Sequence, residues 1–111
     1  MSSIDLYIAK FPAEIQQRLT AIRQTAFNIF SDIDEKLHYS LPAFSKNGKV
    51  FMFYAAYKDH ISICVGEGWI DILKNIYPDF RYTQATITFA HDTPFPLDMV
   101  QTICELVNSA L

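Results

Sequence analysis

The dipeptide Asn47-Gly48 constrains this chain more than any other feature. It lies between two extended apolar stretches, "LPAFSK" and "KVFMFYAAY", and both of its residues tolerate the positive φ that a type I′ turn demands. A two-residue loop there sets Lys46 opposite Lys49, and the pairing runs on through Phe44 with Phe51 and Ala43 with Met52. Lys58-Asp59 is a second turn, without the help of a glycine, and it sets Tyr57 opposite His60 and Tyr54 opposite Ile63. Three antiparallel strands follow, at roughly 38–45, 50–57 and 60–65.

Because side chains alternate along a strand, this register gives every residue a face. Leu41, Ala43, Val50, Met52, Tyr54, Ala56, Ile61, Ile63 and Val65 share one, which is mostly aliphatic. The other holds His38, Pro42, Phe44, Phe51, Phe53, Ala55, Tyr57, His60, Ser62 and Cys64, a mixture too apolar to be left simply to water.

Helices supply the cover for the aliphatic face. From Pro12 to Phe30 the residues Ile15, Leu19, Ile22, Ala26, Ile29 and Phe30 recur at helical spacing, with the proline at the start where its missing N–H costs nothing. Ile4, Tyr7, Ile8 and Phe11 predict a preceding helical turn or two. Trp69, Ile72, Leu73 and Ile76 predict a short helix stopped by Pro78, and Leu97, Val100, Ile103, Cys104, Val107 and Leu111 a C-terminal one. "SDIDEK" closes the long helix, and a further strand, rich in β-branched residues, spans roughly 84–90. The reading is an α+β domain, an antiparallel sheet with its long N-terminal and C-terminal helices on one face.

At 111 residues the chain has enough length for one core and reads as a single domain, 1–111. A net charge of −3, with no run of Lys or Arg, leaves out the basic stripe that a phosphate backbone needs, so no nucleic-acid partner is expected. No apolar run is long enough for a membrane span, and the start "MSSIDLYIAKFPAEI" lacks the pattern of a secretory leader. Cys64 and Cys104 fit no zinc spacing and read as free thiols of a reducing compartment. The expectation is a cytoplasmic protein.

The aromatic face is the place to look for function. The short helix, a second copy of the chain or a small ligand are the three things that can cover it, and His38, Phe51, Phe53, Tyr57, Lys58, His60 and Trp69 are the ligand-binding candidates around it. The register also aligns His38, Tyr57 and His60 across three strands. Outer strands of such a row are about 9–10 Å apart, too far for two imidazoles to share one metal past an intervening tyrosine. His91 reads as a surface residue of the loop after the last strand. Asp32, Asp34 and Glu35 form the one tight acidic group and are the candidate metal ligands, with iron as the possible cation. Catalytic motifs built on H-E-x-x-H, G-x-S-x-G or a glycine-rich phosphate loop do not occur, and no catalytic residue is assigned.

The stretch "YSLPAFSKNGKVFMFYAAYKDHISI", supported by "YIAKFPAEI" and "TITFAHDTPFP", resembles the YdhG-like family of small bacterial domains of unknown function. The resemblance covers nearly the whole chain. It implies an α-β-α domain with a curved antiparallel sheet, and it carries over to Tyr39, Pro42, Ala43, Phe44, Asn47, Gly48, Lys49, Ala55, Ala56, Lys58, His60 and Ile61 as motif positions. One branch of that family is described as frataxin-like iron chaperones. This chain departs from the pattern with Ser40 in place of a glycine and Gln84-Ala85 in place of Lys-Gly, and between Pro12 and Phe30 it carries Glu14 alone as an acid. The leading expectation is therefore a noncatalytic small-ligand-binding or adaptor module using the aromatic cleft. An iron chaperone and a small enzyme are the alternatives, and a symmetric homodimer through the same face is the expected oligomer if nothing else covers it.

Overall fold

The computed structural model describes residues 2–111. Helices α1 (Ser3–Ala9) and α2 (Ala13–Ile29) precede strands β1 (Asp34–His38), β2 (Leu41–Lys46), β3 (Lys49–Ala56) and β4 (His60–Cys64). Helix α3 (Glu67–Ile76), strands β5 (Arg81–Tyr82) and β6 (Thr86–Ala90), and helix α4 (Leu97–Ser109) complete the chain. The six strands form one sheet in the order β1-β2-β3-β4-β6-β5, antiparallel at every pairing. This is the α+β class read from the sequence.

Local chemistry sets the helix ends. Ser2 Oγ accepts from Asp5 N at 3.1 Å while Asp5 Oδ2 accepts from Ser2 N at 3.2 Å, a reciprocal capping box that starts α1. Pro12 precedes α2, and Gly66, at φ 94°, makes the left-handed step from β4 into α3. Apolar stripes of all four helices then meet one side of the sheet. Tyr7, Leu19, Ile22, Ile70, Leu73, Val100 and Ile103 join Phe44, Met52, Tyr54, Ile61, Ile63, Ile87 and Phe89 in one continuous core. The short helix α3 thus belongs to the same layer as α2 and α4.

The second hairpin keeps the register expected of it, with Tyr54 opposite Ile63 and Ala56 opposite Ile61. The first begins as expected, with Asn47 and Gly48 at φ 53° and 80° and Lys46 opposite Lys49. It then departs. Ser45 pairs with Val50 but Phe44 pairs with Met52, so Phe51 is the extra residue of a β-bulge. One added residue exchanges the faces of the remainder of β2. Phe44, expected on the open face, is fully buried in the core, while Leu41 and Ala43, expected in the core, share the other face with Phe53 and Ala55. Phe51 packs its ring against Phe30, with centroids 4.8 Å apart.

A second correction concerns the strand expected over 38–45. It is two strands, β1 and β2, joined by a turn in which Tyr39 and Ser40 both have positive φ, 52° and 65°. Their identities carry no turn signal of the Asn-Gly kind. The residues of β1, "DEKLH", are charged and mostly exposed, which suits an edge strand but hides it from a search for apolar alternation.

One polar cluster is built into the helix-covered side. Glu35, whose side chain is 4% exposed, receives the guanidinium of Arg23 from α2 at 2.7 and 2.8 Å and the hydroxyl of Tyr54 at 2.7 Å. Arg23 also reaches Asp5 of α1 at 3.2 Å, so one side chain ties α1, α2 and β1 together. Nearby, Tyr7 Oη accepts the N–H of Ala56 at 3.1 Å.

Burial raises the proton affinity of several groups here. The Cys104 thiol is pushed up to about 12, and desolvation raises the hydroxyls of Tyr7, Tyr54 and Tyr82 above their ordinary value, the carboxylate of Glu35 adding to the effect at Tyr54. Each group holds its proton more tightly folded than unfolded. The stability they contribute is therefore complete below about pH 9 and is lost as the pH climbs toward 12. Urea midpoints followed by circular dichroism should fall steadily over that alkaline range; a midpoint unchanged to pH 11 would contradict it.

Candidate functional site

With every helix on one side, the other side of the sheet carries no secondary structure among the described residues. Its central strands present Leu41, Phe53, Ala55, Tyr57, Ser62 and Cys64, and β6 adds Thr86. These residues, with Tyr39 and Tyr54, line a cavity of about 300 Å³. Its walls contain no Asp, Glu, Lys, Arg or His side chain. Tyr39, from the strained turn between β1 and β2, stands at its rim with 92% of its surface exposed, and Tyr57 is 45% exposed.

A second cavity of about 390 Å³ continues round the end of the sheet, lined by Val50, Phe51, Phe53, Cys64, Val65, Gly66, Trp69, Val107, Ala110 and Leu111. It too lacks a charged side chain. Phe53 and Cys64, cross-strand partners, line both spaces. The opposite end of the face differs. There a trough of about 720 Å³ is walled by Asp59, His60, Asp79, Arg81, His91 and Asp92 among others.

The ligand-binding candidates named from the sequence are accordingly divided. Phe53 and Tyr57 line the first cavity, and Phe51, Phe53 and Trp69 the second. His60 belongs to the charged trough, where its Nδ1 lies 2.6 Å from Asp59 Oδ1 and its ring stacks on Tyr57 with centroids 4.8 Å apart. The hydrogen bond to His60 holds the Asp59 carboxyl below its ordinary range. His38 lies opposite Leu41 at the end of β1, its ring edge-on to Phe53 at 6.4 Å, so the expected row of His38, Tyr57 and His60 is broken by the turn at Tyr39 and Ser40, which puts His38 on a strand that does not pair with β3. Lys58 is exposed in its turn. His91 is half-buried, not a free surface residue: its Nε2 lies 2.8 Å from the Tyr57 carbonyl, which ties the β6–α4 loop to the turn after β3. Residue type and regular alternation do not find Tyr39 and Leu41 as cavity walls, because one lies in an unsignalled turn and the other falls on the core face when the bulge is left out. Ser62 and Cys64 lie on the face that alternation gives them.

The candidate metal ligands Asp32, Asp34 and Glu35 are not gathered. Asp32 lies before β1 at φ 56°, Asp34 and Glu35 alternate along that strand, and Glu35 is turned inward to Arg23 and Tyr54. Among the described residues no group of three or more His, Cys, Asp or Glu side chains is placed to hold a metal ion.

The architecture is that of a small one-sided α+β domain, a six-stranded antiparallel sheet backed by four helices with its second face free of them. The same fold occurs in the crystal structure of YdhG, a DUF1801-family protein from Bacillus subtilis. That structure superposes with a TM-score of 0.80 over 94% of this chain and 86% of its own, at 14% sequence identity. No protein-family model matches the chain, and no curated protein matches it. Among the described residues no helix is long and apolar enough to cross a membrane.

Proposed function

We propose that this domain is a noncatalytic binding module for a small uncharged ligand, held on the open face of the sheet between Tyr39, Phe53 and Tyr57. One observation carries the reading: the cavity there is walled by aromatic and aliphatic side chains and a few hydroxyls, without a single charged group, in a protein whose residues are 19% charged. Small-molecule sites have this composition, concave and mainly apolar with a few polar groups for orientation, and about 300 Å³ is the lower end of their range. Binding suits this lining better than acid–base catalysis, since the wall itself contains no carboxylate and no imidazole, His38 and His60 packing behind Phe53 and Tyr57. Free Cys64 and Cys104 fit work in a reducing compartment such as the cytoplasm.

A thermal-shift panel of neutral aromatic and aliphatic compounds tests the proposal. Ligand at 100 times its dissociation constant should add about 2.7 kcal/mol of stability. Tyr57→Ala, at a position too exposed to matter greatly for folding, should abolish the shift in a protein that still unfolds cooperatively. A panel in which only charged compounds stabilise, or in which Tyr57→Ala leaves the shift intact, would overturn it.

A further inference from the structure

Resting on the binding reading above, we propose that the ligand is an unbranched neutral hydrocarbon chain, the alkyl portion of a single-chain neutral lipid, laid over Phe53 and Cys64 so that it occupies both cavities. Two observations select this class. The cavities of about 300 and about 390 Å³ have two wall residues in common, Phe53 and Cys64, and those two face one another across β3 and β4. A rigid ring system fits one cavity or the other. A flexible chain passes from one into the other over that pair.

The second observation is the distribution of charge. Neither cavity has a charged side chain in its wall, whereas the trough at the other end of the same face holds Asp59, Asp79, Asp92 and Arg81. An ionised group drawn into the groove would lose its hydration and meet no side chain of opposite charge, so the part of the ligand that enters is neutral. Side-chain polarity also orients it. Ser62, Thr86 and Tyr57 put hydroxyls at one end, while the side chains of Val50, Val65, Trp69 and Val107 at the other end are apolar, with Ala110 and Leu111 beside them. A hydroxyl or ester head belongs at the first end and the tail at the second.

Cys64 reports on this directly, because the chain must cross it. It is partly exposed, whereas Cys104 is fully buried with its thiol pushed up to about 12, so N-ethylmaleimide near neutral pH should label the native protein once, at Cys64. The rate of that labelling, followed by intact mass in a series of straight-chain 1-alkanols below their solubility limits, measures occupancy. Protection is expected, with the dissociation constant falling about fourfold for each methylene added, as burial of one CH₂ requires, until both cavities are filled. Cyclohexanol and 2-naphthol are the comparison. Equal protection by these rings, with no gain from longer chains, would overturn the hydrocarbon-chain assignment and leave the binding module standing. Absence of protection by chains and rings alike would overturn both.

Discussion

Replacing Arg23 with Met is expected to lower the stability of the folded chain by about 3–5 kcal/mol, the cost typical of removing one partner from a buried ion pair. The reason lies in the position of Glu35, which is almost wholly enclosed and takes two donor nitrogens from Arg23 at 2.7 and 2.8 Å. With the guanidinium gone, the carboxylate keeps the Tyr54 hydroxyl at 2.7 Å but no positive charge. Methionine preserves much of the apolar stem, so the loss reports on the charge and its hydrogen bonds. The exposed Asp5 contact of Arg23 at 3.2 Å adds little by comparison. Urea denaturation measures the effect as a lower midpoint with an unchanged slope. The double variant Arg23→Met with Glu35→Gln should recover most of the loss, because the stranded charge goes while the amide oxygen still accepts from the Tyr54 hydroxyl; a double variant as unstable as the single one would show that packing, not charge, carries the effect.

Phe44→Ala is the other large perturbation, expected at about 3–5 kcal/mol for truncating a fully buried aromatic ring. Phe44 stacks on Tyr54 with centroids 5.5 Å apart and meets the edge of Phe27 at 5.7 Å, so its removal opens a hole between β2, β3 and α2. The size of the loss separates two registers of the first hairpin. Without the bulge, Phe44 would sit on the open face and its loss would be mild, while Ala43 would be enclosed among the helices. A cost below about 1 kcal/mol would therefore contradict the bulge.

Phe44 also marks where the sequence stops being legible. The Asn47-Gly48 turn, the second hairpin and the helical stripes are readable because each rests on local chemistry: positive φ at the turn, alternation along β3 and β4, and a period near 3.6 along α2 and α4. From these, Met52, Ile61 and Ile63 fall against the helices, where the structure has them. The bulge at Phe51 is not readable. It arises from how β2 and β3 meet the core, with Phe51 against Phe30, and nothing in "KVFMFY" distinguishes a strand with one extra residue from a regular one. One such step moves Leu41 onto the cavity wall and takes Phe44 away from it, while the turn at Tyr39 and Ser40 carries His38 onto another strand and dissolves the histidine row.

The open face of the sheet is half legible for the same reason. Phe53, Tyr57 and Cys64 lie downstream of the bulge, where the register holds, and they are the centre of the uncharged groove. Tyr39 and the edge strand β1 lie beyond it, in polar residues whose strand character comes from pairing with β2 and not from their own pattern. The acidic group suggests a site by proximity in sequence. Strand alternation separates such neighbours in space, and Glu35 is engaged as a structural ion pair.

The central claim is that ligand is received on the face of the sheet opposite the helices. A titration of ¹⁵N-labelled protein with 1-octanol, followed by ¹H–¹⁵N correlation spectra, tests it most directly. The amides of Phe53, Ala55, Ser62, Cys64 and Thr86 should shift together and saturably, while those of Leu19, Ile22 and Ile103 in the helical layer stay in place. Shifts confined to the helices or to the trough around His60 and Arg81 would contradict the account. So would a protein whose open face does not respond because a second copy already covers it, which sedimentation would show as a dimer dissociated by Phe53→Glu.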